Sequence, residues 1–172
     1  NPAFAQVDVP LASTFMLSTK AGKEIYVEPI IEDDGYRFTV VMGAPKDPKA
    51  AKEGTKFSRG NFRCLMSGDP IEPAYIKTEG RAARMGSRLM TIVAEGVRGR
   101  VYLDPLELQE ETANGAKPSW KPDVEFLQQA LGFRIGSYGM TRWSDLFTDR
   151  QLVALSTISD LIQAAQERVK ED

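Results

Sequence analysis

Short runs of alternating hydrophobic and polar positions fill the first quarter of the chain, and this period of two is typical of β-strands. The runs cover residues 13–19, 24–31 and 36–42. The segment Asp33–Gly35 separates the last two runs, and Asp and Gly tolerate the positive φ that a tight hairpin turn requires. We therefore predict an antiparallel meander at this end of the chain.

The middle of the chain combines connectors with short regular elements. Residues 43–60 hold two prolines and five basic residues, a composition that predicts a mobile connector. A fourth short strand is expected at residues 62–66. Pro73 suits the first turn of a helix, where its missing N–H is not needed, and this helix is predicted to run to about Met85.

The pattern after residue 86 predicts one more strand pair and a helical end. Residues 87–95 and 99–103 are interpreted as the strand pair, residues 105–122 as a surface loop with one turn of helix, and residues 123–131 as a short helix.

A capping box is recognised at Thr148 and Gln151, where each side chain can satisfy an exposed helix N–H. Hydrophobic residues then recur at spacings of three and four, which predicts a long amphipathic helix. These residues are Leu152, Leu155, Ile158, Ile162, Ala165 and Val169.

Composition excludes several classes of chemistry. The chain has no histidine, so neither a Ser-His nor a Cys-His pair can form within it. Cys64 is the single cysteine, and without a neighbouring base we interpret it as a buried structural thiol.

No membrane span, secretory signal or disulfide framework is visible, so a cytoplasmic location is expected. The chain starts with Asn rather than Met, which we interpret as a segment of a longer polypeptide.

The net charge of −2 is unevenly distributed. From Lys46 to Arg100 there are twelve basic and six acidic residues, which leaves a net −8 elsewhere. This asymmetry suggests an anionic partner, and nucleic acid is the usual one. The alternative is a solvated lysine-rich loop together with arginines that pair with acidic residues such as Glu79 and Glu95.

The basic residues suggest a phosphate-binding surface. Spacings of four, three and four would place Lys77, Arg81, Arg84 and Arg88 on one face of a continuous helix. Two further arginines, Arg98 and Arg100, flank the turn of the second strand pair, and the Lys46–Arg59 loop would act as a mobile electrostatic arm. The predicted phosphate contacts are Lys56, Arg59, Arg81, Arg84, Arg88, Arg98 and Arg100.

Several runs of residues resemble a known family. They are PLASTFMLS (10–18), FRCLMSGDPI (62–71), RMGSRLM (84–90), GRVYL (99–103), YGMT (138–141) and DLFTDRQLVAL (145–155). Together they are similar to the large prokaryotic proteins described as adenine-specific DNA methylases containing a zinc ribbon, which open with a domain of unknown function. The likeness covers nearly the whole chain.

The resemblance implies that this chain is an internal region carrying the ribbon. The first ribbon knuckle would map near Phe4 or Ala5 and the second onto Cys64 and Ser67. Cys64 alone keeps a ligand type, so the resemblance implies a degenerate, metal-free ribbon. The catalytic motif and the methyl-donor loop would belong to other parts of the protein. S-adenosylmethionine is therefore expected for the parent protein, and no cofactor is expected in this segment.

These arguments predict an α+β fold, with an antiparallel sheet, a metal-free zinc-ribbon-like element and a long C-terminal helix. One compact domain would comprise a mainly β region at 1–104, a loop-rich connector at 105–137 and a helical segment at 138–172.

The predicted function is a non-catalytic domain of a DNA adenine methyltransferase that contributes to DNA binding. Its partners would be DNA and the rest of the parent protein, without a membrane. The alternative is a scaffold or protein-interaction module that packs on the catalytic domain or self-associates.

Overall fold

The structure is a computed structural model that describes residues 7–33, 35–127 and 134–171. Of residue 171 only the backbone is described. The chain divides into two compact units. Unit 1 comprises Asn1–Ile76 and Gly86–Leu106, and unit 2 comprises Lys77–Met85 and Glu107–Asp172.

Unit 1 begins with an antiparallel sheet of strands β1 (Met16–Ser18), β2 (Ile25–Glu32) and β3 (Gly35–Met42), in the order β1-β2-β3. The register of β2 and β3 closes at Glu32 and Gly35, so two residues connect the strands. The predicted meander is therefore confirmed. Asp34, which belongs to the predicted hairpin turn, lies outside the described residues.

The core of unit 1 lies on one face of this sheet. Phe15, Val27, Tyr36 and Phe38 are buried together, and the ring centroids of Tyr36 and Phe38 lie 5.3 Å apart. Leu65, Met66 and Met90 pack against this cluster from later in the chain and are partly buried. Burial of such large apolar side chains is the main favourable contribution to folding.

Residues 43–60 are not the predicted loop. They form helix α1 (Pro48–Glu53) and strand β4 (Lys56–Ser58), and β4 pairs with β5 (Asn61–Arg63). A third strand, β6 (Pro70–Ile71), completes a small antiparallel sheet in the order β4-β5-β6. The strand predicted at 62–66 is present as β5, but it ends at Arg63, where a turn begins.

Unit 1 ends in a two-stranded antiparallel sheet of β7 (Ile92–Gly96) and β8 (Gly99–Leu103). The strand predicted from residue 87 begins only at Ile92. Asp104, directly after β8, accepts hydrogen bonds from the hydroxyl of Thr39 and the backbone N–H of Val40, at 3.0 and 2.5 Å. The hairpin is thereby joined to the edge strand β3.

Helix α2 (Pro73–Arg81) starts at the predicted proline but ends four residues before the predicted Met85. Ala83 adopts a positive φ of 54°, which takes the backbone out of the helix. Near its end, Gly80 lies so close to Tyr138 that a Cβ would stand 2.4 Å from the Tyr138 carbonyl oxygen. The end of the helix thus packs closely against the backbone of a residue 58 positions further along the chain.

Unit 2 continues with helix α3 (Glu107–Asn114), two short 3₁₀ helices at Ile135–Tyr138 and Trp143–Leu146, and helix α4 (Asp149–Glu171). The helix predicted at 123–131 is wrong over residues 123–127, where Glu125 forms a β-bridge with Arg142. Residues 128–131 of that prediction lie outside the described residues. The Phe126 ring packs on Trp143 with a centroid distance of 4.6 Å.

The capping box of α4 is confirmed. The Thr148 N–H donates to Gln151 Oε1 at 2.8 Å, and the Gln151 N–H donates to Thr148 Oγ1 at 3.3 Å. The mixed α+β class and the long C-terminal helix are likewise confirmed. Among the residues that the structure describes, no helix has both the length and the apolar character needed to cross a membrane.

Candidate nucleic-acid interface

Residues 46–63, which we call the basic segment, carry the densest group of exposed cations in unit 1. The segment contains six basic and two acidic residues, a local net charge of +4. All six cations are exposed, and none forms an ion pair within the part of the chain that the structure describes. They are Lys46, Lys49, Lys52, Lys56, Arg59 and Arg63.

Helix α1 gives the basic segment a defined backbone. Asp47 caps the helix by accepting hydrogen bonds from the N–H groups of Lys49 and Ala50, both at 3.0 Å. One of the two acids in the segment is therefore occupied by a helix cap. Ala51 is buried, and its carbonyl accepts a hydrogen bond from the Phe15 N–H at 2.7 Å.

The turn after α1 is fixed against the chain near Ala12. Gly54 has a φ of +61°, and a Cβ at this position would lie 2.5 Å from the Ala12 carbonyl oxygen. Thr55 is buried, accepts a hydrogen bond from the Ala12 N–H at 3.0 Å and donates to the Pro10 carbonyl at 2.6 Å. The predicted mobile arm is wrong as a description of the backbone, because the segment is hydrogen-bonded to a distant part of unit 1.

The β4–β5 hairpin places an aromatic ring among these cations. Phe57 is 43% exposed, and the Arg63 guanidinium lies 5.2 Å from its ring centroid. The Arg63 N–H donates to the Thr55 carbonyl at 2.8 Å and thereby holds β5 beside β4. Sequence reasoning assigned no role to Phe57 or Arg63, although a large apolar residue between exposed basic positions was visible in the sequence.

Arg84 and Arg88 do not continue the face of helix α2. The helix ends at Arg81, so the predicted helical face of four cations is wrong. Arg84 binds Glu79 through two hydrogen bonds of 2.7 Å, in which Nε meets Oε2 and Nη2 meets Oε1. The hydrogen bonds from Arg84 hold the pKa of Glu79 below its usual range. The competing interpretation, in which arginines pair with internal acids, is confirmed for this residue.

Arg88 also has an internal partner. Its guanidinium lies 5.3 Å from the ring centroid of Tyr36, and Nη2 donates to the Tyr36 carbonyl at 3.5 Å. Lys77 lies over another ring, with its ammonium 5.8 Å from the centroid of Tyr138. Both cations are thus engaged with aromatic side chains of their own units.

The other predicted arginines are exposed. Arg81 is the last residue of α2 in unit 2, whereas Arg98 lies in the β7–β8 turn of unit 1. Arg100 in β8 lies directly opposite Glu95 in β7. Within the described residues no ion pair joins Arg100 to Glu95, so pairing with that acid is not observed.

The predicted second knuckle forms a turn between β5 and β6. The Cys64 N–H donates to the Asp69 carbonyl, and the Gly68 N–H donates to the Cys64 carbonyl, both at 2.9 Å. Cys64 is half-buried rather than buried. Burial raises the pKa of its thiol, but hydrogen bonds from Ser67 and Met66 outweigh this effect, so the pKa lies below its usual value.

The donor set of this turn does not fit a structural zinc. Cys64 supplies one thiolate, Ser67 stands where a second cysteine would be needed, and a zinc ribbon requires four Cys or His ligands. Over residues 7–33, 35–127 and 134–171 no three His, Cys, Asp or Glu side chains are grouped as a metal ion would need. The predicted first knuckle, near Phe4 and Ala5, lies outside the described residues.

Comparison with protein-family models, with curated proteins and with solved structures found no match to this chain. The resemblance to zinc-ribbon-containing adenine-specific DNA methylases therefore stays a prediction from the residues quoted above.

Proposed function

We propose that this chain is a non-catalytic nucleic-acid-binding module and that the basic segment makes its main contacts. The observation that carries the proposal is the set of six exposed cations, which form no ion pair in the described part of the chain and five of which lie on helix α1 and the β4–β5 hairpin. Phosphates that meet such cations release condensed counterions, which favours binding at low salt. Because the backbone of the basic segment is already ordered, less conformational entropy is lost when the nucleic acid binds.

In a parent protein of the resembled family, the module would help to hold DNA while another domain performs methyl transfer. S-adenosylmethionine would bind that other domain. The exposed arginines Arg81, Arg98 and Arg100 are secondary candidates for phosphate contacts. Arg84 is a weaker candidate, because it would have to leave Glu79 before it could bind a phosphate. Arg88 is also weaker, because its Nη2 already donates to the Tyr36 carbonyl.

The test is fluorescence anisotropy of the chain with labelled duplex DNA over a salt series. Six phosphate contacts would give a slope of about −5 for log affinity against log salt. The variant Lys49→Glu/Lys56→Glu/Arg59→Glu should flatten this slope by about 2.7. Lys49 is included because a carboxylate near a helix N-terminus is compatible with the helix dipole.

A matched variant controls for net charge. Lys20→Glu/Lys23→Glu/Lys117→Glu changes three exposed cations outside the basic segment and alters the net charge by the same amount. The proposal expects the control to keep most of the wild-type slope. Equal losses in the two variants would contradict a localised surface, and no binding of wild-type chain at low salt would overturn the proposed function.

A scaffold module is a second candidate, and helix α4 favours it. Every residue from 157 to 170 is exposed, including Ile158, Leu161 and Ile162. A helical stretch of this length is marginal in water without packing on a partner. Light scattering would test this candidate: Ile158→Asp/Ile162→Asp should abolish self-association, whereas Thr157→Asp/Gln163→Asp should not. A monomeric wild-type chain would exclude self-association.

A further inference from the structure

The aromatic residue in the basic segment differs from the aromatic residues of the core. Phe15 and Phe38 are 5% and 4% exposed, whereas Phe57 is 43% exposed on a strand whose three residues all face solvent. Isolated exposed apolar side chains are common, so exposure alone assigns no role. What distinguishes Phe57 is its setting, because the Arg63 guanidinium lies over its ring and two further exposed cations, Lys56 and Arg59, belong to the same hairpin.

The hairpin that carries Phe57 holds three exposed cations, one on each strand and one in the turn between them. Lys56 precedes Phe57 on β4, Arg59 lies in the turn, and Arg63 reaches over the ring from β5. Trp120, which is 64% exposed, has a different setting. It is followed by Lys121, which already pairs with Asp149 at 2.7 Å.

We propose that Phe57 is a stacking site for an unpaired base and that the basic segment therefore prefers single-stranded or locally opened nucleic acid to closed duplex. This inference rests on the proposed function and specifies the substrate of the same surface. An aromatic ring beside backbone-binding cations is the arrangement by which proteins hold single strands without reading their sequence. Bases inside a duplex are already stacked on their neighbours, so they have no free face for Phe57.

Arg63 already lies against the Phe57 ring at this site. Its guanidinium lies 5.2 Å from the centroid of the Phe57 ring, and its backbone is fixed by the hydrogen bond to Thr55. A guanidinium can stack on an aromatic plane and still donate hydrogen bonds to a phosphate from its edge. The base would stack on the exposed surface of the ring, and Arg63 and Arg59 would bind the adjoining phosphates.

The experiment compares three labelled probes over one and the same salt series: a 12-nucleotide oligothymidine, a hairpin duplex and an abasic oligomer of the same charge as the oligothymidine. Phe57→Leu keeps an apolar side chain of similar size but removes the aromatic face. It should weaken oligothymidine binding by about 5- to 150-fold, the range measured for loss of one stacked base. Affinity for the duplex and for the abasic oligomer should stay unchanged.

Two further variants keep the inference testable if Phe57→Leu affects folding. Phe57→Trp should retain binding, and its fluorescence should be quenched by oligothymidine beyond the change seen in wild-type chain, which contains Trp120 and Trp143. Arg63→Lys keeps the charge but loses the planar group, so it should weaken oligothymidine binding while the salt slope is preserved.

The outcomes separate this inference from the proposed function. Binding of all probes by wild-type chain, with equal affinities for Phe57→Leu, would overturn base stacking and leave nucleic-acid binding intact. Loss of duplex and oligothymidine binding to the same degree would also overturn it. If wild-type chain binds none of the probes, the proposed function fails as well.

Discussion

Two stretches of the chain carry closely spaced cations, but the contacts of these cations within the fold differ between the two stretches. In the basic segment, the acid Asp47 caps helix α1, and the six exposed cations form no ion pair within the described residues, although Arg63 lies over the Phe57 ring. Between Lys77 and Arg88, three of the four cations have internal partners: Arg84 binds Glu79, while Lys77 and Arg88 lie over tyrosine rings. Positive charge along a sequence therefore does not measure the charge that a ligand can reach.

The physical reason is competition for the same donors. A guanidinium bound bidentately to a carboxylate must give up two charge-assisted hydrogen bonds before it can bind a phosphate. An exposed lysine gives up only its hydrating water, and the counterions released on binding are those condensed on the nucleic acid. The comparison thus favours the basic segment over the end of α2 as the surface that binds an anionic polymer.

The largest effect is expected at Gly54, whose contact with Ala12 fixes the basic segment to unit 1. Gly54→Ala would place a Cβ 2.5 Å from the Ala12 carbonyl oxygen at a positive φ, and should lower the free energy of unfolding by about 2–4 kcal/mol. Chemical denaturation measures this loss. Nucleic-acid binding should weaken with it, because the cations would be displayed on a less ordered backbone.

Gly22 provides the control for Gly54. Its φ of +71° is similar, but a Cβ there would meet nothing within 4 Å. Gly22→Ala should therefore cost only the backbone penalty of about 1 kcal/mol. If both variants lost the same stability, the close approach to Ala12 would not be the anchor that we describe.

A smaller effect is expected at Arg84. Because Arg84 lowers the folded-state pKa of Glu79, the pair stabilises the fold above the unfolded-state pKa of Glu79, and this stabilisation disappears as the pH falls through the folded-state value. Arg84→Gln should raise that pKa towards the usual value of about 4.3, which carboxyl NMR titration would detect.

The same variant sharpens the comparison between the two stretches. Arg84→Gln and Lys56→Gln each remove one positive charge, but Arg84 is paired with Glu79, whereas Lys56 forms no ion pair within the described residues. Lys56→Gln should reduce the salt slope for duplex DNA by about 0.9, and Arg84→Gln should reduce it less. A greater loss for Arg84→Gln would reverse the ranking of the two stretches.

The smallest effect concerns Cys64, which follows Arg63 at the end of the basic segment. Hydrogen bonds from Ser67 contribute to the lowered pKa of the thiol, so iodoacetamide should react with an inflection at lower pH in the folded than in the urea-unfolded chain. The lowered pKa adds stability above the unfolded-state pKa, and this is lost as the pH falls through the folded-state value. Ser67→Ala should raise the inflection without altering nucleic-acid binding. Identical inflections in the two states would contradict the hydrogen bonds to the thiolate.

Elements defined by neighbouring residues were predictable, and elements defined by distant contacts were not. The β2–β3 hairpin and the start of α4 follow from alternation, a two-residue connection and the capping pair Thr148 and Gln151. Helix α1 was not predicted, because its proline- and lysine-rich composition is also typical of a loop. Its burial of Ala51 and the bonds from Thr55 to Ala12 involve residues about forty positions away.

By itself, the sequence determined the mixed α+β class, the meander, the capped C-terminal helix and the presence of an excess of basic residues in the middle of the chain. These properties depend on residue type and on interactions within a few positions. Only the tertiary structure decided where α2 ends and which cations stay exposed. Those outcomes depend on Gly80 meeting Tyr138, on Arg88 meeting Tyr36 and on Gly54 meeting Ala12, and such contacts form between positions that no local pattern relates.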